Sequence, residues 1–359
     1  MSGKVLLYGA TGYTGRLIAA RLARQGVKVV VAGRDPERVR AMARSLAVEG
    51  RAFSLDLPRH IDAALADVDL VLHAAGPFLE TAPAMMSACL RAGAHYLDLA
   101  GEWPVFAQAM DLDAAAVAAG VMVMPGVGLT IAVTDCLLAL AHRSQPDAVA
   151  LRVAMSWPQV LSRGSVLTAA QIFGPHALVR RDGRLHAVAG GRVTRAFDFG
   201  HGLRDATAFS GPEVVAGQHT TGVPNIEIYA EVDWAKRVSY RGATMAMALT
   251  GSEPWTLASA AIGAIWPKAP SAEARHRAGY VMVAEAIDPW RRVSSLRIRT
   301  FDGYTASVLT AVGAVERVLG GTWARGFQTP ALIFGPDFIF EVGCASVDGP
   351  SRQMTGEAA

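Results

Sequence analysis

The run Lys4-Val5-Leu6-Leu7-Tyr8-Gly9-Ala10-Thr11-Gly12-Tyr13-Thr14-Gly15-Arg16 constrains this chain more than any other stretch. An apolar segment stops at a glycine, two more glycines follow at three-residue spacing, and an amphipathic helix starts at once. A strand that turns tightly into a helix N-terminus aims backbone N–H groups and the positive end of the helix dipole at one point. That arrangement holds a phosphate anion. Gly9 permits the turn, Gly12 lets the backbone approach the anion, and Gly15 lets the helix pack on its strand.

The chain that follows alternates strand and helix. A first helix is expected over about Thr14 to Gln25, and a β-branched strand over Val27 to Ala32. Asp35-Pro36 is an N-cap followed by proline at the first helical position, opening a helix that runs to about Ala47. Strands are then expected at Arg51–Asp56, Asp69–His73, Ala94–Leu99 and Val121–Met124, with helices at Ile61–Ala66, Ala84–Ala92 and Val105–Ala119 between them. Strict alternation predicts an α/β fold, a Rossmann-type doubly wound parallel sheet with right-handed crossovers.

After about Ala141 the pattern changes. A strand at Val149–Trp157 and a helix at Ser165–Phe173 precede a hairpin, Leu178 to His186, with an Asp182-Gly183 turn. Strands are expected at Val193–Phe199, Glu213–Ala216, Ile226–Val232 and Val293–Thr300, before a helix at about Ser307–Leu319. The second region reads as an inserted α+β, β-rich domain. The expected division is 1–145 for the nucleotide domain, 146–305 for the insert, 306–347 for a segment returning to the first domain, and 348–359 for a flexible tail.

Composition narrows the function. A chain of 359 residues, 52% hydrophobic, can bury about two domain cores. Charged residues make up 18% and the net charge is +3, with no basic stripe, which argues against a nucleic-acid partner. Cys89, Cys136 and Cys344 lie far apart without metal spacing, so neither a metal site nor a disulfide frame is expected. The chain enters a strand within four residues, leaving no room for a signal peptide. No apolar run reaches the roughly 18 to 20 residues of a membrane span. A cytoplasmic setting is the expectation.

Arg34 stands directly after the second strand, about 25 positions beyond Gly9, where dinucleotide domains face the adenosine ribose. An acidic residue there selects NAD, whereas arginine suits the 2′-phosphate of NADP through its forked, charge-assisted bonds. Arg34 therefore points to NADP(H), with Arg38 a second contact; the alternative is a solvated surface pair. Ala75-Gly76-Pro77-Phe78 closes the fourth strand at the switch point, where the nicotinamide half belongs, or is simply a structural turn. The residues expected to touch the cofactor are Gly9, Ala10, Thr11, Gly12, Tyr13, Thr14, Gly15, Gly33, Arg34, Asp56, Ala75, Gly76, Pro77, Phe78 and Gly126.

Tyr96, Asp98 and Glu102 stand at the carboxyl end of the fifth strand. Tyr96 and Asp98 share a strand face and are candidates for a proton donor and an orienting carboxylate. The alternatives are a core aromatic for Tyr96 and a helix cap for Glu102. Asp135, in an apolar helix after the Pro125-Gly126-Val127-Gly128 turn, needs a partner, a backbone N–H or an arginine before a catalytic role. No Ser-Tyr-x-x-x-Lys relay and no P-loop lysine are present.

With these motifs in place, the sequence resembles the saccharopine dehydrogenase-like oxidoreductases, including their trans-acting enoyl reductase branch. The resemblance is carried by Tyr8 to Gly15, Ala75 to Phe78, His95-Tyr96-x-Asp98-x-x-Gly101-Glu102, Pro125 to Gly128 with Asp135, and Gly326 to Ala331 with Phe334 to Phe338. It implies an NADP(H)-binding domain interrupted by a β-rich domain, and hydride transfer to a C=C or C=N bond. The alternatives are an imine-reducing, saccharopine-reductase-like amino-acid enzyme and a non-catalytic NADP(H) sensor. A small-molecule substrate and a homo-oligomer are the expected partners. The apolar stretch 244–266, flanked by basic residues, is either a helical pair packed on a partner subunit or second domain, or a channel or lipid-facing patch at a membrane surface.

Overall fold

The computed structural model describes residues 3–156, 176–233, 237–238, 240–242, 271, 273, 275 and 278–349, and the backbone of 352–354. The expected helix at Ser165–Phe173 and the apolar stretch 244–266 lie outside the described residues. Two compact units are present, one formed by Met1–Ala132 with Tyr304–Phe338, the other by Val133–Gly303 with Ile339–Ala359.

In the first unit the chain runs β1 (Lys4–Tyr8), α1 (Tyr13–Arg24), β2 (Lys28–Gly33), α2 (Pro36–Leu46), β3 (Glu49–Ala52), α3 (Pro58–Leu65), β4 (Leu70–His73), α4 (Phe78–Ala92), β5 (His95–Asp98), α5 (Trp103–Asp111), α6 (Asp113–Ala119) and β6 (Met122–Met124). Its strands form a parallel sheet ordered β3-β2-β1-β4-β5-β6. Alternating crossovers allow only parallel neighbours, and Val5, Leu6, Leu7, Val30, Val31, Val71 and Leu72 are accordingly buried. Asp35 caps α2 as its sequence requires, accepting from the N–H groups of Glu37 (3.0 Å) and Arg38 (3.1 Å) ahead of Pro36.

Three helices differ from expectation. The segment 105–119 is two helices, because Asp113 opens a new first turn where its charge suits the dipole. Helix α4 starts at Phe78 rather than near Ala84; Pro83 sits inside it without an N–H for the preceding turn, so its first turns do not read as helix. The third is in the second unit.

That unit runs from within α7 (Leu129–Ser144) through β7 (Ala150–Met155), β8 (His176–Arg181), β9 (Arg184–Ala189), β10 (Thr194–Asp198), β11 (Leu203–Ala208), α8 (Glu213–Thr221), β12 (Asn225–Glu231), β13 (Val281–Ile287) and β14 (Val293–Thr300). Glu213–Ala216, expected as a strand, is the start of α8. Four residues, three of them apolar, cannot distinguish the two by period. Pro212 at the N-cap and left-handed Gly222 at the C-cap delimit the helix, and buried Arg180 donates to the Val214 carbonyl at 2.6 Å. The β8–β9 hairpin turns through Asp182 (φ 47°) and Gly183 (φ 75°), as the Asp-Gly signal predicts.

The chain then re-enters the first unit with α9 (Gly303–Leu319), β15 (Gly326–Phe327) and α10 (Pro330–Phe334), and leaves through α11 (Phe338–Glu341), β16 (Ala345–Val347) and β17 (Arg352–Met354). Strand β15 pairs parallel with β6 as the seventh strand of the first sheet. In the second sheet β16 and β17 both pair antiparallel with β14. The units thus divide inside α7, not after residue 145, and residues beyond 338 fall to the second unit, where β17 is ordered as a strand within the expected tail.

Candidate functional site

Strand β1 ends where Gly9 turns the chain with φ +86°, accessible to glycine at no cost. A Cβ on Gly9 would lie 2.7 Å from the backbone of Ala74 and Ala75, so the β1 and β4 turns abut there. A Cβ on Gly15 would drive into the Gly9 carbonyl, which is why the helix packs so close. The turn is closed by Gly12 N–H donating to Gly9 O at 2.9 Å. Gly12 then caps α1 with no side-chain hydrogen bond and no acidic residue in the first turn. The positive helix end is left to an anion.

Arg34 is exposed at the end of β2, and its guanidinium makes no hydrogen bond or ion pair with the described residues. Its charge is felt by Tyr8, whose pKa burial pushes up to about 12 while Arg34 opposes the rise. Arg38, expected as a second phosphate contact, donates instead to the Thr11 carbonyl at 3.0 Å and braces the glycine turn. Asp56 lies exposed past β3, accepting from the Ser54 hydroxyl at 2.5 Å.

The fourth strand ends in fully buried His73, followed by Ala74, Ala75, Gly76, Pro77 and Phe78. The Ala74 N–H donates to Tyr8 O at 2.8 Å, which extends the β1–β4 ladder up to the turn. Thr81, from the first turn of α4, holds its hydroxyl 2.7 Å from Ala75 O and 2.9 Å from Pro77 O. Beside this turn Tyr96 and Asp98 are fully buried, and the Tyr96 hydroxyl donates to Asp98 Oδ2 at 2.8 Å. Asp98 Oδ1 accepts from Gly126 N–H (2.7 Å) and Ala100 N–H (2.9 Å). Burial pushes the Asp98 pKa up to about 7 against these three donors, which favour the charged form. Burial raises Tyr96 well above its usual value, so the phenol stays protonated. Glu102 is buried at the N-cap of α5, but its Oε2 accepts from Gly101 N–H at 2.9 Å rather than capping the helix.

Sequence reading missed His73, Thr81, Ser307 and Tyr304 in this unit. Ser307 Oγ accepts from Leu129 N–H at 3.0 Å, and Tyr304 meets the Tyr13 ring edge-on at 5.0 Å. A histidine closing an apolar strand was the one available signal; the α9 residues are far off in sequence. Asp135 lies in the other unit, where Thr220 donates to its Oδ1 at 2.5 Å.

A parallel sheet of this order, with a glycine turn into an uncapped helix after β1 and an arginine after β2, defines a dinucleotide-binding Rossmann domain. Residues 5–124 match the family model of the saccharopine dehydrogenase NADP binding domain. The dinucleotide of that domain, NADP(H), fits the glycine cradles and the Arg34 guanidinium, which has no partner among the described residues. Among relatives, the trans-acting enoyl reductase of Mycobacterium tuberculosis is 34% identical over 115 residues, 30% of this chain and 28% of that protein. The trans-acting enoyl reductase of Mycobacterium ulcerans is 29% identical over 116 residues, again 30% and 28%. The match thus spans under a third of these relatives. Saccharopine dehydrogenase (L-Glu forming) of Saccharomyces cerevisiae shares the fold across 99% of this chain and 100% of its own, with a TM-score of 0.63 at 14% identity.

Proposed function

We propose that this chain is an NADPH-dependent reductase that delivers hydride to a C=C (enoyl) or C=N bond of a small, apolar organic substrate. The observation that carries the reading is the pairing of the open glycine turn with Arg34, a guanidinium without a partner among the described residues, where a 2′-phosphate would sit. The cofactor supplies the hydride. The chain's residues bind it: Gly9 to Gly15 cradle the pyrophosphate, Gly33 and Arg34 hold the adenosine end with Asp56 at the rim, and Ala75 to Phe78 with Gly126 border the nicotinamide.

Tyr96 and Asp98 act in this reading as positioning residues. The phenol is enclosed and committed to Asp98, and Asp98 fixes the Gly126 and Ala100 backbone. Glu102 fixes Gly101 in the same way. An enoyl substrate is favoured by the names of the relatives matched over the nucleotide domain, and an apolar one by the 244–266 sequence.

Titrating the protein with NADPH and NADH while following its tryptophan fluorescence tests the first step, and turnover on enone and imine panels tests the second. NADPH is expected to bind more tightly. Arg34→Asp should shift the NADPH-to-NADH preference by about 100-fold, the size expected for trading a charge-assisted phosphate contact for repulsion. Binding of neither nucleotide would sink the proposal. Light scattering and vesicle flotation check the oligomer and the lipid contact that belong to the same reading.

A further inference from the structure

The buried end of β4 holds a histidine that nucleotide binding by itself does not call for. His73 Nε2 lies 3.0 Å from the Ala75 carbonyl oxygen and 3.0 Å from Thr81 Oγ1. A carbonyl can only accept, so Nε2 carries the ring proton and Nδ1 carries the lone pair. The Thr81 hydroxyl, 2.7 Å from Ala75 O and 2.9 Å from Pro77 O, serves the same turn. Both carbonyls of the turn are thereby drawn inward by two side chains.

Nδ1 is buried and has no hydrogen-bond partner among the described residues. The rings around it are Phe78 at 5.5 Å, Tyr8 at 5.6 Å and Tyr96 at 6.3 Å between centroids. The titratable groups facing His73 are Tyr8 from β1 and Tyr96 and Asp98 from β5, with Asp98 its register partner; α4 contributes Phe78 and Thr81. A second proton would sit on a buried nitrogen with no acceptor, and burial accordingly pulls the imidazole pKa down to about 4. A buried nitrogen without a partner is costly, and an aliphatic side chain would avoid that cost while filling the space. What the aliphatic side chain would lack is the Nε2–H.

We propose that His73 is a positioning residue for the nicotinamide half of the cofactor, setting through its Nε2–H the path of the Ala75–Phe78 turn against which that half lies. The proposal rests on the NADP(H) reading above, and the two fail differently. Because Gly9 abuts Ala74 and Ala75, the turn is fixed at one end by the glycine loop and at the other by His73 and Thr81.

The test compares dissociation constants of the full chain for NADPH and for 2′,5′-ADP, which carries the adenosine end alone. His73→Ala should weaken NADPH about tenfold, the worth of one hydrogen bond, and leave 2′,5′-ADP within about twofold. His73→Asn, which keeps an N–H near Ala75 O, should recover most of the loss. In the wild type the ring nitrogen shifts should report a neutral Nε2–H tautomer from about pH 5 to pH 8. Equal weakening of both ligands, unchanged NADPH affinity in a folded His73→Ala, or a protonated Nδ1 would each overturn the proposal. If His73→Ala does not fold, the asparagine variant and the tautomer still decide it. Wild type that binds neither ligand overturns the nucleotide reading itself, and this one with it.

Discussion

Asp98 in the first unit and Glu213 in the second are both buried carboxyls that burial pushes up to about 7, yet their surroundings are opposite. Asp98 has both oxygens occupied, by two backbone N–H groups and the Tyr96 hydroxyl. Glu213 takes the Thr134 hydroxyl on Oε1 at 2.5 Å, and its Oε2 has no partner among the described residues. The negative charge of Asp135, on the neighbouring helix α7, adds to the rise at Glu213. One carboxyl has donors on both oxygens and organises backbone; the other has one oxygen without a donor among the described residues and is suited to hold a proton. Identical titration positions therefore conceal different jobs, and the count of donors tells them apart.

Substitutions that remove or mimic the charge separate the two. Asp98→Ala should have the largest effect, a loss of about 4 kcal/mol in stability, because it strands three buried donors. Thermal unfolding and NADPH affinity should fall together, since the Gly126 turn is freed. Asp98→Asn keeps one acceptor oxygen and should cost about 2 kcal/mol, still clearly destabilising at pH 7. Tyr96→Phe removes one donor among three and should cost about 1 kcal/mol. A result in which Asp98→Asn is neutral would erase the contrast with Glu213.

Glu213→Gln should go the other way. A folded-state pKa above the unfolded one means that stability is full below about pH 4.5 and is lost as pH rises through about 7. Wild type should therefore lose about 2 kcal/mol across that window relative to the glutamine variant, with the two equal at low pH. Urea unfolding at pH 4.5 and pH 8 reads the difference. A variant less stable than wild type at pH 8 would mean that Glu213 is ionised and paired after all.

The first sheet was readable because each of its early strands is a buried apolar run that stops at a turn residue, and the helix after β2 announces itself through Asp35-Pro36. Strand β3 is offset by a few residues because it is an exposed edge with charged side chains, Glu49 and Arg51, and little apolar period to read. In the second sheet, the sequence does not mark β11 and β13 and the start of α8 reads as a strand, since short runs there draw their state from neighbours such as Arg180 and Ile226. The site shows the same split. Glycine turns and Arg34 are local and legible. The bonds from Asp98 to Gly126 and from His73 to the Ala75 turn depend on strand register and on the direction of α4, which no spacing along the chain encodes.

Strand β15 carries a consequence for biosynthesis. Phe327 donates its N–H to Asp113 across 214 residues of sequence, at 2.7 Å, and Gly326 and Phe327 pair with Met122 and Val123. On the ribosome, the nucleotide sheet emerges with the outer edge of β6 bare, and residues Val133–Gly303 of the second unit must be made before its covering strand exists. A nascent chain of this kind keeps an open, apolar sheet edge for the time of some two hundred peptide bonds, a period in which chaperone binding or mispairing competes with folding.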